Sequence, residues 1–330
     1  EDLQPVFSFK IRGAYNKMAQ LTQAQKDKGV IAASAGNHAQ GLAMAAKLMG
    51  VKAVIVMPRI TPDIKVQAVR ARGAKVILKG DAFAAAAEHA QELIKEHGYT
   101  YIPPFDDIDV VAGQGTIGVE ILRQHAGRLD AIFVPVGGGG LIAGVAAYVK
   151  YLRPDIKVIG VEAEDSACLK AALEAGERVI LDQVGVFAEG VAVAQIGEIP
   201  FSLIQGLIDG VITVNTDEMC AAVKDIFEDT RAVAETSGAL SLAGLKKYIQ
   251  QTGAEGETLL CINSGANTNF DRLQHIAERT ELGEQREAIL AVTIAEKPGS
   301  FKKFCRTLGK RMVTEFSYRY ADSNEAHIYV

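Results

Sequence analysis

One short stretch of the chain sets the fold class, and it reads Val134-Pro135-Val136-Gly137-Gly138-Gly139-Gly140-Leu141. The β-branched residues before the glycines predict a buried strand, and the apolar run from Leu141 predicts a buried helix. Because glycine has no Cβ, the backbone N–H groups of such a turn can approach an anion closely, and the helix start adds free donors and a favourable dipole. Four successive glycines cost much chain entropy, which favours a phosphate site over a tight turn without a ligand.

Strand and helix patterns alternate on both sides of this stretch, as in a parallel sheet that is covered by helices. Strands are predicted at residues 29–34, 52–57, 75–78 and 99–102, and then at 131–136, 157–161, 210–214 and 258–262. One helix is predicted to end at residue 49, and three others are predicted over 61–73, 83–97 and 116–124. We therefore predict an α/β fold with two parallel-sheet lobes in one catalytic unit.

The last part of the chain has a different pattern. A helix over 270–280 and a charged connector over 281–287 lead to a strand at 288–295, a helix from Pro298-Gly299-Ser300 to about 308, and strands at 312–320 and 325–330. This order, β-α-β-β, forms the first four elements of a βαββαβ unit. A small α+β module is therefore expected at the carboxyl end.

Composition excludes several classes of function. Apolar residues make up 48% and charged residues 23% of the 330 residues, as in an ordinary soluble protein. The net charge of −5 gives no reason to expect nucleic acid or a membrane surface as a partner. An uncharged stretch between Asp130 and Lys150 is interrupted by proline and glycine, so a strand, a turn and a helix explain it better than a membrane span. The four cysteines lie far apart without ligand spacing, so no metal site is predicted and a reducing compartment fits.

Two further polar turns follow predicted strands. Ser34-Ala35-Gly36-Asn37-His38 opens a helix that Ser34 can cap, its N–H groups suit a substrate carboxylate, and Asn37 offers a neutral donor to a phenolic oxygen. Asn263-Ser264-Gly265-Ala266-Asn267 follows the strand at 258–262. Because the carboxyl ends of parallel strands meet at one crevice, we expect these two turns and the glycine turn to converge.

The glycine turn alone leaves the kind of phosphate open. Gly138, Gly140 and Ala143 satisfy the pattern G-x-G-x-x-A, and Glu162 ends the next strand about 20 residues further on, as dinucleotide binding requires. An NAD-dependent dehydrogenase is therefore an alternative. Lys10 would be partly desolvated among apolar neighbours, which lowers its pKa and helps Schiff-base chemistry, although a lone lysine is usually a surface residue.

Taken together, these segments resemble the fold-type II pyridoxal-phosphate enzymes, which share the fold of the tryptophan synthase β subunit, and among them the threonine dehydratases (threonine ammonia-lyases). The resemblance covers almost the whole chain and rests on residues 1–15, 34–41, 137–140 and 264–267. It implies pyridoxal 5'-phosphate as the cofactor. It also implies a catalytic domain over 1–285, with a small lobe of about 30–108 inserted in the large lobe.

The resemblance also implies a role for each matching position. Lys10 would form a Schiff base with the cofactor and then act as the base at the substrate Cα. Asn37 would bind the 3′-oxygen of the cofactor, and Ser264 would face its pyridine nitrogen. The remaining roles fall to two loops. The phosphate would be held by Gly137, Gly138, Gly139, Gly140 and Leu141, and the substrate carboxylate by Ser34, Ala35, Gly36, Asn37 and His38.

The residue types indicate elimination as the reaction. A serine at the pyridine nitrogen cannot hold a full positive charge there, so the ring is a weaker electron sink and loss of a β-hydroxyl is favoured over transamination. Racemases of the family have a serine at the position of Ala35, so racemisation is not expected. The resemblance thus implies dehydration and deamination of L-threonine to 2-oxobutanoate and ammonia, with L-serine dehydration as the alternative.

Proline is usual in the family at the position of Thr236, where we expect a looser turn without loss of activity.

Residues 286–330 resemble the first portion of the ACT-like regulatory domain of the biosynthetic threonine dehydratases. In those enzymes isoleucine inhibits the activity and valine opposes this inhibition. This implies the first step of isoleucine biosynthesis, feedback regulation of the complete enzyme, a homotetramer and a cytoplasmic location. The chain starts without Met and stops within a predicted strand, so we expect a fragment whose effector binding is in doubt, and an organellar location stays open. A dimerisation module and a non-catalytic amino-acid sensor are the alternatives for this part.

Overall fold

Two separate parallel sheets form within the first 280 residues of the computed structural model, which describes residues 1–284, 288–320 and 324–330. The chain divides into a unit over Glu1–Thr280 and a unit over Glu281–Val330. The predicted boundary between residues 285 and 286 lies outside the described residues and stays a prediction.

The strands of the first unit are β1 (Val30–Ala33), β2 (Ala53–Met57), β3 (Lys75–Leu78), β4 (Thr100–Tyr101), β5 (Ala131–Pro135), β6 (Lys157–Ala163), β7 (Gly210–Val214) and β8 (Leu259–Cys261). One sheet has the order β3-β2-β1-β4 and the other the order β7-β6-β5-β8, and all pairs are parallel. The predicted α/β architecture with two parallel-sheet lobes is confirmed. Strands β1, β2 and β5 are buried along their whole length, which is why they consist of continuous apolar runs.

The helices that cover these sheets are α1 (Lys10–Gln20), α2 (Gln23–Lys28), α3 (Asn37–Met49), α4 (Asp63–Arg70), α5 (Phe83–His97), α6 (Ile108–Gln124), α7 (Gly140–Leu152), α8 (Cys168–Ala175), α9 (Glu198–Ile204), α10 (Thr216–Thr230), α11 (Thr236–Thr252) and α12 (Arg272–Gly283). Short 3₁₀ turns lie at Glu164–Ser166 and Glu189–Val191. Helices α1, α2 and α8 to α11 were not predicted from the sequence.

Helix α6 begins eight residues before its predicted start at 116. The Asp107 side chain accepts hydrogen bonds from the backbone N–H groups of Asp109 and Val110, so the helix is capped there. The sequence hid this start because glycines, which are poor helix formers, follow at Gly113 and Gly115. A helix that contains them is stable here because it packs against other helices.

The contact between α6 and α7 is what requires those glycines. A Cβ on Gly144 of α7 would overlap the carbonyl oxygen of Val111 and lie 2.6 Å from the Gly115 nitrogen. A Cβ on Gly115 would in turn lie 2.9 Å from the Gly144 carbonyl oxygen. The two helices thus touch backbone to backbone, which holds the start of α7 and the glycine turn before it in a fixed place.

The uncharged stretch between Asp130 and Lys150 folds as β5, the glycine turn and most of α7. Across the described parts of the chain, no helix combines the length and the apolar character that crossing a membrane requires.

The second unit contains β9 (Ala291–Ala295), α13 (Ser300–Leu308), β10 (Ser317–Tyr320) and β11 (Glu325–Tyr329) in an antiparallel sheet of order β10-β11-β9. The predicted β-α-β-β order is confirmed. Strand β10 begins five residues later than predicted because Ser317 pairs with Tyr329, so residues 312–316 lie beyond the end of β11. The apolar side chains of Ala326 and Ile328 on the central strand are buried.

We predict that Gly144→Ala lowers the free energy of unfolding by about 1–3 kcal/mol, because the new methyl group forces the α6 and α7 backbones apart. Denaturant unfolding measures this change. Gly118→Ala in α6 is the matched control, since its Cβ would meet Val149 at 3.3 Å, and the gain in helix propensity should leave stability within about 1 kcal/mol. Equal effects of the two substitutions would contradict the proposed backbone contact.

Candidate active site

Backbone hydrogen bonds tie the segment before Lys10 to the turn after β8. Ser8 and Gly265 form an antiparallel bridge. The N–H of Phe9 donates to the Ser264 carbonyl at 3.2 Å, and the N–H of Ala266 donates to the Phe7 carbonyl at 2.8 Å. Two of the predicted site segments, which are more than 250 residues apart in sequence, are therefore neighbours by main-chain pairing.

Helix α1, which starts with Lys10, is fixed by charge and by close packing. The Arg12 guanidinium donates to Glu1 at 2.8 Å and to Glu120 at 2.7 and 2.8 Å. A Cβ on Gly41 of α3 would lie 2.9 Å from the Lys10 carbonyl carbon, so α3 passes directly against the backbone of Lys10. Lys10 is thus held at the junction of α1, α3 and the turn after β8.

The Lys10 amine is turned inward. Its Nζ donates to the Pro104 carbonyl at 2.9 Å and lies 5.2 Å from the centre of the Phe9 ring. Desolvation lowers the pKa of Lys10 to about 8, against the opposing charge of Glu235. A larger neutral fraction near neutral pH makes this amine a better nucleophile and base than a surface lysine.

The glycine turn between β5 and α7 is enclosed on its outer side. A Cβ on Gly137 would lie 2.9 Å from the Val191 Cα, and a Cβ on Gly138 would overlap the Phe105 ring. Gly139 has φ of +86°, which favours glycine. Helix α7 starts at Gly140, so the first N–H groups of the helix have no partner within it. The turn therefore presents free donors and a positive helix end to an anion.

Asn37 lies at the start of α3 with its amide held from two sides. Its Nδ2 donates to Glu235 Oε1 at 2.5 Å, and its Oδ1 accepts from Asn267 Nδ2 at 2.6 Å. Ser264, after β8, is buried and donates from Oγ to the Ser237 carbonyl at 3.3 Å. Both residues offer neutral polar groups.

One cavity brings the three predicted turns together. The predicted residues that line it are Lys10, Asn37, Gly137, Gly138, Gly139, Gly140, Leu141 and Ser264. An inward-facing amine, an anion cradle and two neutral hydrogen-bonding side chains thus face a common space, an arrangement that suits a small polar ligand. Their individual roles stay predictions.

The loop predicted to receive a carboxylate reaches the cavity only through Asn37, because Ser34, Ala35, Gly36 and His38 do not line it. The expected capping of α3 by Ser34 is wrong. Gly36 is the N-cap residue, and Ser34 Oγ instead accepts from the Gly36 N–H at 3.4 Å. His38 is buried beside the Ile102 carbonyl at 2.8 Å, and desolvation lowers its pKa to about 3.

Several cavity residues were not predicted as site residues, notably Glu235, Ser237, Gln114, Phe105 and Val191. Glu235 and Ser237 flank Thr236, the position that the resemblance did single out, and this neighbourhood was the available signal. Of the other three, Gln114 lies within α6, Phe105 lies in the loop between β4 and α6, and Val191 ends a 3₁₀ turn.

Thr236, where the family usually has proline, is the first residue of α11. Its Oγ1 donates to the Phe187 carbonyl at 3.1 Å, a bond that proline could not make. The expected loosening of this turn is therefore offset by a hydrogen bond.

The environment of Glu162 argues against dinucleotide binding. Its side chain is fully buried, and its two oxygens accept from the N–H groups of Leu169 at 2.7 Å and Lys170 at 2.8 Å. A carboxylate that caps α8 in this way cannot reach a ribose hydroxyl. Within residues 1–284, 288–320 and 324–330, no group of three His, Cys, Asp or Glu side chains is placed to hold a metal ion.

Comparison with known families gives two matches. Residues 1–265 match the family described as pyridoxal-phosphate dependent enzyme, and residues 278–330 match the C-terminal regulatory domain of threonine dehydratase.

Individual relatives agree with these matches. The chain is 59% identical to a biosynthetic L-threonine dehydratase of Burkholderia multivorans and 61% identical to one of Escherichia coli, in both cases over 100% of its own length. It spans only 66% and 64% of those two proteins. The structure of the processed form of threonine deaminase isoform 2 from Solanum lycopersicum aligns with a TM-score of 0.84 and 50% identity, covering 86% of this chain and 77% of that one.

We predict that His38 makes stability pH-dependent. Its folded-state pKa lies below the usual 6.5, so the stability it contributes is present above pH 6.5 and is lost as the pH falls toward 3, by about 1.4 kcal/mol per pH unit. His38→Gln keeps an N–H for Ile102 without a titrating ring, so its unfolding free energy should fall less than that of the wild type between pH 7.5 and 5.5. Denaturant unfolding at both pH values tests this. The exposed residue His97 supplies the control His97→Gln, and parallel curves for His38→Gln and the wild type would refute the prediction.

Proposed function

Since the chain belongs to the family of pyridoxal-phosphate-dependent enzymes, we propose that its first unit is the catalytic domain of a threonine ammonia-lyase, which converts L-threonine to 2-oxobutanoate and ammonia. The observation that carries the proposal is the Lys10 amine, whose pKa is lowered to about 8 and which shares one cavity with the glycine turn, Asn37 and Ser264.

The residues of the cavity fit pyridoxal 5'-phosphate. The glycine turn cannot accept a Cβ at residues 137 or 138, and it offers the free N–H groups of a helix start, which suits a phosphate. Residues 137–141 would hold that phosphate, Asn37 the 3′-oxygen and Ser264 the ring nitrogen. Lys10 supplies the amine that would carry the cofactor covalently.

When bound, pyridoxal phosphate withdraws electrons from the carbon that bears the substrate amine. The free Lys10 amine would act as the base that takes the Cα proton, and the Pro104 carbonyl is placed to orient its Nζ. The hydroxyl of Ser264 is neutral and therefore does not support a full positive charge at the ring nitrogen, which favours departure of the β-hydroxyl over transamination. Ala35 carries no hydroxyl, so it offers no second proton donor for racemisation.

Threonine is preferred over serine as the proposed substrate because of the second unit. The match of residues 278–330 to a regulatory domain supports a biosynthetic enzyme, as do the names of the relatives. We propose that the complete protein catalyses the first step of isoleucine biosynthesis, that isoleucine inhibits it, and that valine opposes this inhibition. We also propose that it is a homotetramer with a cytoplasmic location. A serine dehydratase is the alternative.

We predict that the protein purified with pyridoxal phosphate is yellow and that borohydride reduction fixes the cofactor to the peptide containing Lys10. Lys10→Ala should lose the covalent label, and its deaminase activity should fall by at least about 100-fold, because the same amine carries the cofactor and moves the proton. Mass spectrometry of the reduced protein locates the label. Lys47→Ala, at an exposed position on α3, is the control and should label as the wild type does. A colourless protein, or a label on another lysine, would end the proposal.

We predict that kcat/KM for L-threonine exceeds that for L-serine by at least about tenfold, since one methyl group in an apolar pocket is worth roughly that factor. Production of the 2-oxo acid from each substrate gives the two values, and D-threonine serves as the control that should not react. A preference for serine would replace threonine by the serine alternative while leaving the cofactor proposal intact.

A further inference from the structure

Glu235 is a cavity residue to which none of the roles above has been assigned. It is the N-cap residue of α11, but its side chain makes no capping bond. The carboxyl is instead in hydrogen-bonding contact with Asn37 and Ser237, and desolvation raises its pKa. An acidic side chain that is partly buried beside a proposed cofactor site, and is not used as a helix cap, calls for a physical explanation.

The orientation of the Asn37 amide depends on this carboxyl. Asn37 Oδ1 accepts from Asn267, so the oxygen end of the amide faces away from Glu235. Asn267 is itself fixed, because its Nδ2 donates to the Val6 carbonyl at 2.8 Å and its Oδ1 accepts from Gln40 at 3.1 Å. The nitrogen end of Asn37 is therefore on the Glu235 side, where one of its two N–H bonds is directed at Glu235 Oε1. The other N–H is left for the cavity.

Little room is left for the carboxyl to turn elsewhere. A Cβ on Gly265 would lie 2.6 Å from Glu235 Oε1, so the backbone of the turn after β8 passes directly against the carboxyl. A Cβ on Gly190 would lie 3.6 Å from the same atom. Glu235 is thus confined between two glycine positions, and this confinement aims its oxygen at Asn37.

The same carboxyl is also linked to the residue proposed to face the ring nitrogen of the cofactor. Glu235 is hydrogen-bonded to Ser237, whose carbonyl accepts the Ser264 hydroxyl at 3.3 Å. Asn37 and Ser264 are the two residues proposed to face the 3′-oxygen and the ring nitrogen. One side chain therefore connects the supports of both polar groups of the ring.

We propose that Glu235 is a positioning residue, whose carboxyl accepts one N–H of Asn37 and so directs the other N–H at the 3′-oxygen of the cofactor. This inference rests on the proposed function, since it requires pyridoxal phosphate in the cavity. Glu235 acts through Asn37 and not through its charge on Lys10. The effect of a substitution at 235 on cofactor binding should therefore depend on the length of the new side chain and on whether it can accept a hydrogen bond.

Three substitutions separate geometry from charge. Glu235→Gln keeps an oxygen acceptor at the same reach without a charge. Glu235→Asp keeps the charge but is one methylene too short for Asn37, and Glu235→Ala removes both. The readouts are the dissociation constant of pyridoxal phosphate from the apoprotein and the visible absorbance maximum of the loaded protein, which reports the surroundings of the 3′-oxygen. Glu198→Ala, at an exposed glutamate on α9, is the control for the mutation type and should match the wild type.

The expected result is a dissociation constant about tenfold higher and a shifted absorbance maximum for Glu235→Ala and Glu235→Asp, with Glu235→Gln within about threefold of the wild type. In an Asn37→Ala background, Glu235→Ala should cause no further weakening, because the contact it supports is already gone. Additive losses in the double variant would overturn the inference. If the alanine variant does not fold, the comparison of Gln with Asp decides: weaker binding by Gln than by Asp would overturn the inference.

The outcome for the wild type separates this inference from the function on which it rests. A wild-type protein that binds pyridoxal phosphate on Lys10 and deaminates threonine, together with unchanged binding and absorbance in Glu235→Ala and Glu235→Asp, refutes the role of Glu235 alone. A wild-type protein that does not bind the cofactor refutes both.

Discussion

Removal of the Lys10 amine from water is the physical constraint on which the site depends. A lysine side chain normally keeps its charge in solvent, so holding it inside requires a structure that over-determines its place. Main-chain pairing with the turn after β8, the Arg12 ion pairs and the glycine approach of α3 supply that structure together. The chemistry that a lowered pKa permits is therefore a property of how the first unit is assembled and not of the lysine alone.

Electrostatic consequences extend beyond this amine. His38 and Glu235 lie near Lys10, and desolvation shifts the pKa of each toward its neutral form. Both side chains are largely removed from water, so the hydrogen bonds within the proposed cofactor site are less screened than they would be in water. The neutral side chains of Asn37 and Ser264 fit the same pattern.

Much of the fold and part of the site could be predicted from the sequence. The strands β3 and β7 lie where their apolar runs placed them, and Lys10, Asn37, Ser264 and the glycine turn share one cavity. Of these, the glycine turn and the turn with Ser264 follow the neighbouring parallel strands β5 and β8, whose carboxyl ends lie together. Glu235 could not be assigned in this way, because it enters the site through tertiary contacts that leave no periodic pattern. At Ser34 and Glu162 a local pattern suggested the wrong partner. Ser34 was expected to cap α3 but accepts from the Gly36 N–H, and Glu162 was expected to meet a ribose but accepts from the Leu169 N–H.

The bridge between Ser8 and Gly265 has a consequence for how the protein is made. Gly265 is synthesised only after most of the first unit, so Ser8 has no partner for this bridge during most of synthesis. The cavity therefore cannot close around Lys10 early. Closing a loop of about 250 residues is slow compared with forming local helices, although its entropic cost grows only with the logarithm of its length. Cofactor capture is therefore expected to be one of the last events of folding, and free pyridoxal phosphate would act on the nearly finished chain by stabilising its final contacts.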